Sequence, residues 1–241
     1  MTTHQFPQRK VEVGGGLIAV PCQELMRYSH FFITFSALDI GEIPGGVRTF
    51  VQPGLDIFKQ CNDAVAEAKR IGADWLWIIG DDHLFTPTII KDLLRHRKDV
   101  VVPHTLQRSA PFLPVVYKFE NAQGEHMPYI DLPQSGLVEI YAAGSAGMLI
   151  RREVLEALPE KPFTTSRGHH NEDLELCRHV REAGFTIHCD VDTKLGHVGT
   201  MYCIPEWKDD GYGWGAAVTL GPDHTVPFRR FPGSGKALTV A

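Results

Sequence analysis

The stretch Trp75-Leu76-Trp77-Ile78-Ile79-Gly80-Asp81-Asp82-His83 decides the fold. Five apolar residues rich in β-formers predict a buried strand, and the strand runs straight into a glycine, two acids and an imidazole. In an open α/β sheet, ligands bind at the carboxyl ends of the strands, so these polar groups stand where chemistry is expected. In extended chain, residues two apart point the same way. That rule predicts Asp81 and His83 facing one site, with Asp82 pointing elsewhere. A carboxylate oxygen and an imidazole nitrogen suit a borderline divalent ion such as Mn²⁺. Such an ion would bridge to phosphate oxygens and neutralise a leaving diphosphate. A second reading stands beside this one: acidic and polar residues can simply end a strand and cap its turn.

Working outward, Leu17-Ile18-Ala19-Val20-Pro21 reads as another short buried strand, and Phe31 to Phe35 as a further strand. Residues 55–71 carry apolar groups at Leu55, Phe58, Cys61, Val65, Ala68 and Ile71, which is helical spacing, and Gly72 supplies the stop. Thr86 can cap a helix that starts at Pro87 and buries Ile89, Ile90, Leu93 and Leu94. Val100 to Pro103 is a buried strand. Residues 105–140 hold short extended pieces at Pro114 to Phe119 and Leu137 to Ala142. Asn171 can cap a helix from Glu172 to Ala183, followed by a strand from Phe185 to Cys189. Strands alternating with helices predict an α/β fold with a mainly parallel central sheet and a small antiparallel portion. Residues 1–16 read as a flexible lead-in, 17–200 as the α/β domain, and 201–241 as an irregular arm rich in Gly, Pro and Trp.

The chain has 241 residues, with 24 Lys plus Arg against 29 Asp plus Glu, a formal charge of −5. That length suits one domain with a full core. The acidic balance disfavours a protein that coats nucleic acid by charge alone. No apolar run reaches the length of a membrane span. The N-terminus has no signal-peptide pattern, and the five cysteines show no CxxC spacing. They read as free thiols of a cytoplasmic protein. The 12 histidines are an excess over an ordinary chain of this size.

Four segments in order resemble glycosyltransferases of the GT-A fold, in particular small family-2-like enzymes of bacteria and phages. They are Leu17 to Cys22; Trp77 to Pro87, similar to the family's Asp-X-Asp segment; Ala143 to Val154, similar to the small-residue loop before an Ile-Arg-Arg-Glu-Val helix start; and Asn171 to Phe185 with Asp190 and Gly196-His197-Val198-Gly199. His83 replaces the second acid of Asp-X-Asp, giving an Asp-X-His variant of the kind that polypeptide N-acetylgalactosaminyltransferases use. Cys61-Asn62 stands where related sequences often carry Arg-Asn.

The resemblance implies a metal-dependent transferase with a nucleotide-sugar donor, UDP-linked, and an acceptor hydroxyl on a glycan, a small molecule or a modified DNA base. Its metal, Mn²⁺ or Mg²⁺, would be held by Asp81, His83 and His197. His197 lies between Gly196 and Gly199, where the backbone can bend close to a ligand. Asp173 is implied as general base of an inverting transfer, with Glu172 as its substitute. Both acids also suit a helix N-terminus by charge alone. Donor contacts are implied at Pro21, Cys22, Asn62, Asp81, Asp82, Gly144, Ser145, Ala146, Gly147 and Trp214. Arg151 and Arg152 can pair with phosphate or remain solvated. His169 and His170 precede the base and can meet acceptor or phosphate. The aromatic segment Tyr202 to Trp214 reads as a lid, or as an arm packed on the core or on a second copy of the chain in a homo-oligomer. Three other functions fit the same residues: a phage-type DNA-base glycosyltransferase, a two-metal phosphoesterase, and a non-catalytic nucleotide-sugar binder.

Overall fold

The apolar run at residue 75 lies in the middle of a sheet whose two faces are both covered. The computed structural model describes residues 14–22, 29–108, 112–164 and 172–198, and the backbone of 202–207, 214–219, 225–229 and 239–240. The first half holds β1 (Gly16–Cys22), α1 (Ser29–Ser36), β2 (Val47–Pro53), α2 (Ile57–Ile71), β3 (Trp75–Ile78), β4 (His83–Leu84), α3 (Ile89–Leu94) and β5 (Val100–Thr105). There follow β6 (Val116–Glu120), β7 (His126–Pro128), β8 (Leu137–Ile140), β9 (Ala142–Ala143), β10 (Met148–Arg151) and α4 (Arg152–Ala157). The chain then forms α5 (Glu172–Glu182), β11 (Ile187–Val198), β12 (Tyr202–Trp207), β13 (Trp214–Thr219), β14 (Thr225–Arg229) and β15 (Thr239–Val240).

The central strands run in the order β2-β1-β3-β10-β5-β11. Pairing is parallel for β1 with β2 and β3 and for β5 with β11, while β10 runs against both β3 and β5. All but β10 therefore share one direction, which is the mainly parallel α/β sheet expected. β12 to β15 continue it antiparallel beyond β11, and β7-β6-β9 form a separate small antiparallel sheet.

Continuous apolar runs in β1 and β3 follow from burial on both faces. Leu17, Ala19, Leu76 and Ile78 pack with Cys61, Ala64, Val65 and Ala68 of α2. The alternate residues Ile18, Val20, Trp75, Trp77 and Ile79 pack with Phe31 and with Ile89, Ile90 and Leu93 of α3. Each indole finds a partner: Trp75 Nε1 donates to the Gly14 carbonyl at 3.1 Å and Trp77 Nε1 to that of Gly147 at 2.9 Å. Helix α2 starts at Asp56, whose side chain accepts from the Lys59 amide, and stops at Gly72 with φ 63°.

Three local expectations differ from the structure. Residues 31–35 are helical, not extended: Phe31 and Phe35 stack at 5.4 Å as i and i+4 neighbours on one helix face. Their aromatic composition favours a strand, but the parallel crossover from β1 to β2 requires a covering helix. Helix α3 begins at Ile89, with Thr88 as an N-cap that makes no side-chain bond. The C-terminal arm, expected to be irregular, contributes four antiparallel strands. Among the described residues no helix is long and apolar enough to cross a membrane.

Candidate functional site

The site forms where β3 ends. After Ile79 the chain turns at Asp81 and Asp82, and β4 then pairs antiparallel with the far end of β11, placing His83 opposite His197. Their rings stack at 4.5 Å with an interplanar angle of 22°. The Val198 amide donates to the Asp82 carbonyl at 2.7 Å and locks this junction. Asp82 reaches both histidines, its Oδ1 lying 3.0 Å from His83 Nδ1 and its Oδ2 3.4 Å from His197 Nε2. Asp82, His83 and His197 offer ligand atoms that all lie within 4.8 Å of one another.

The carboxylate in this trio is Asp82, where the extended-chain rule pointed to Asp81. The reason is the turn: alternation holds only in extended backbone, and residues 81–82 are not extended. Asp81 is fully buried and belongs neither to the trio nor to the lining of the adjoining cleft. Gly80 leaves room for the Asp82 and His83 side chains, since a Cβ there would sit 2.9 Å from Asp82 Oδ1 and 3.2 Å from His83 Nδ1.

The donor chemistry fits a cation. The Leu106 carbonyl, 3.1 Å from His197 Nδ1, can only accept, so Nδ1 donates to it and Nε2 is the ring atom turned towards Asp82. His83 Nε2 is buried and has no hydrogen-bond partner. Burial raises the cost of ionising Asp82, but hydrogen bonds and charge from His197 and His83 outweigh it and hold the carboxyl well below its usual range. Arg108 shares the same oxygen, its Nη1 lying 2.9 Å from Asp82 Oδ2. Sequence reasoning passed over Arg108, although it follows the carboxyl end of β5, where the strand-end rule applies equally.

A cleft of about 430 Å³ opens beside the trio. It brings together Asp82, His83 and His197 with Pro21, Gly144, Ser145, Ala146, Glu172 and Asp173. Arg108, Thr105, Val115, Ile57 and Gly80 also line it, all unforeseen in the sequence. Burial drives the Asp173 carboxyl above its ordinary pKa, and hydrogen bonds from Ser145 oppose that rise. Its Oδ1 is shielded and has no hydrogen-bond partner. Glu172 is raised as well, by burial and then by the charge of Asp173.

Other expected donor contacts lie elsewhere. Asn62 holds the backbone of Phe163 from both sides, donating to its carbonyl at 2.8 Å and accepting from its amide at 3.0 Å. Cys22 is a buried thiol at the end of β1 and does not line the cleft. Gly147, at φ 70°, makes the turn into β10 and carries the carbonyl that Trp77 uses. Arg151 is buried, and Arg152 binds Asp74 and the Gly72 and Ala73 carbonyls, so it braces the turn after α2. Trp214 opens β13, and its side chain lies outside the described residues, as do His169, His170 and Asn171.

No protein-family model matches the chain, and no curated protein matches it. Solved structures do. A197 from STIV is 14% identical with a TM-score of 0.55, over 90% of this chain and 98% of that one. TarS of S. aureus, residues 1–349, is 13% identical with a TM-score of 0.44, over 74% of this chain and 58% of that one. At 14% identity the likeness to A197 is one of fold.

Proposed function

We propose that the chain is a metal-dependent glycosyltransferase that moves a sugar from a nucleotide-sugar donor, UDP-linked, to an acceptor hydroxyl. One observation carries the reading: a single cleft at the carboxyl ends of the parallel strands holds a metal-competent Asp82-His83-His197 trio and a shielded carboxylate, Asp173. The mixed sheet, which fits a GT-A-like fold, supports it.

Asp82, His83 and His197 would hold Mn²⁺ or Mg²⁺, which when bound neutralises charge on the diphosphate. Asp173 takes the proton from the acceptor hydroxyl, whose oxygen attacks the anomeric carbon. Burial makes its carboxylate a better proton acceptor. Ser145 fixes the carboxyl group by hydrogen bonding, and the Gly144-Ser145-Ala146 backbone borders the space for the donor sugar. Arg108 is close enough to shift from Asp82 to a phosphate oxygen. Glu172 adds negative charge that keeps a proton on the pair more readily.

The test joins binding with turnover. UDP with Mn²⁺ is expected to raise the melting temperature where UDP alone does not. Asp173→Asn is expected to keep that shift and to lower sugar transfer, or donor hydrolysis by water, by about 10²–10⁴-fold. Full activity of Asp173→Asn would remove the base assignment, and the absence of any UDP–Mn²⁺ shift would remove the donor reading.

A further inference from the structure

A second groove, of about 830 Å³, lies between α5 and the β6–β7 hairpin. Its size falls within the roughly 300–1,000 Å³ usual for ligand sites. It adjoins the cleft at two points in the chain. Gln107 lines the groove and Arg108 the cleft, and Leu174 lines the groove and Asp173 the cleft. Tyr117 on the groove wall stands within electrostatic reach of Asp173, whose charge adds to burial in pushing its hydroxyl upward.

The lining discriminates between ligand classes. Arg178 is paired with Glu175 and Glu182. Arg181 lies 3.6 Å over the Tyr141 ring and donates to the Tyr141 and Cys177 carbonyls. Both guanidiniums are thus committed to protein partners, while Glu120, Glu125 and Glu175 line the same groove. Glu175 is balanced by Arg178, whereas Glu120 and Glu125 accept from the neutral Tyr141 hydroxyl and Asn121 carboxamide, so an anionic ligand would meet two acids there. An apolar ligand would desolvate the carboxamides of Gln107 and Gln123. A neutral polyhydroxylated ligand meets neither penalty. Its hydroxyls donate to the carboxylates and exchange hydrogen bonds with the amides. Its C–H faces can pack on Tyr117 and His126, whose rings meet edge to face at 5.7 Å.

We propose that this groove binds the acceptor, that the acceptor is a neutral oligosaccharide, and that its reacting hydroxyl lies at the Asp173 end. The assignment rests on the transferase reading. In the transfer the hydroxyl oxygen bonds to the anomeric carbon. The bond from that carbon to the diphosphate oxygen breaks, its electron pair leaves on the nucleotide diphosphate, and the hydroxyl proton passes to Asp173.

Saturation-transfer NMR on the full chain tests this, with maltotetraose, cellotetraose and chitotetraose as neutral probes and trigalacturonate as the anionic one. At least one neutral probe is expected to bind and trigalacturonate not to. Gln123 is exposed on the hairpin turn, so Gln123→Trp fills the groove without touching the core. It is expected to weaken that binding about tenfold or more, and His126→Ala, which removes part of the aromatic wall, to weaken it as well. The UDP–Mn²⁺ melting shift should be unchanged in both variants. Binding that survives Gln123→Trp, no binding of any neutral probe, or preference for trigalacturonate would each overturn the proposal while leaving a normal UDP–Mn²⁺ shift. Loss of that shift in the unsubstituted chain, with groove binding intact, would instead overturn the transferase reading and with it the acceptor role.

Discussion

At the scale of residues, the site turns on one carboxylate with too many suitors. Asp82 faces His83, His197 and Arg108 at 3.0, 3.4 and 2.9 Å. A divalent ion and the guanidinium compete for its Oδ2. Titration calorimetry with Mn²⁺ should therefore separate two substitutions. Asp82→Asn is expected to weaken Mn²⁺ binding by about 100-fold or more, since it removes the anionic ligand. Arg108→Gln is expected to tighten it by up to about fivefold, because the competing pair is half-exposed and worth at most ~1 kcal/mol. Weaker binding in Arg108→Gln would mean that the arginine supports the site instead of opposing the ion. The sequence announced the polar cluster and both histidines, yet it pointed to the neighbouring acid. Period-2 reasoning presumes extended backbone, and the turn at Asp81-Asp82 breaks it.

At the scale of elements, α2 shows how much a local pattern reveals and where it stops. Its amphipathic face, its Asp56 cap and its Gly72 stop are all short-range features. The role of Asn62 is not, for its partner Phe163 lies far along the chain. With two hydrogen bonds at about 1 kcal/mol each, Asn62→Ala is expected to lower unfolding stability by roughly 2 kcal/mol in urea, with the affinity for UDP unaltered. A loss below about 0.5 kcal/mol would show that Asn62 does not anchor this segment. Helix α1 makes the converse case. Its aromatic composition suggests a strand, and topology overrides propensity because a parallel β1–β2 pair needs a crossover layer. The strands β12 to β15 escaped notice because their glycines and prolines mask the alternation on which strand reading depends.

At the scale of the whole molecule, the histidine excess separates into roles. His83 and His197 build the site, and His96 binds the buried Asp190 at 2.7 Å beside the irregularity in β11. His104 is buried between β10 and β11 on strand β5, and burial followed by the charge of Lys194 lowers its pKa from 6.5 to about 4. The unfolded chain thus takes up a proton below pH 6.5 that the folded chain refuses until near pH 4. Stability from this group is complete above about 6.5 and falls as the pH drops towards 4. Between pH 7 and 5 the loss amounts to about 2 kcal/mol. Urea unfolding of His104→Gln is expected to show a correspondingly shallower acid loss, and an identical pH dependence would contradict the assignment. Asp173 and Glu172, raised by burial, act with the opposite sign, their destabilisation growing as the pH rises through the carboxylate range. By itself the sequence determined the α/β class, the principal helices, the strand that delivers the polar cluster, and the acids at the start of α5, because periodicity, caps and strand ends are local consequences of backbone geometry. The tertiary structure alone decided that Asp82 joins His83 and His197, that Arg108 reaches Asp82, that Asn62 bonds the backbone of Phe163, and that a polar groove lies along α5 with Leu174, the neighbour of Asp173, in its wall. Those relations depend on which strands become neighbours, and that is settled by burying both faces of one sheet at once.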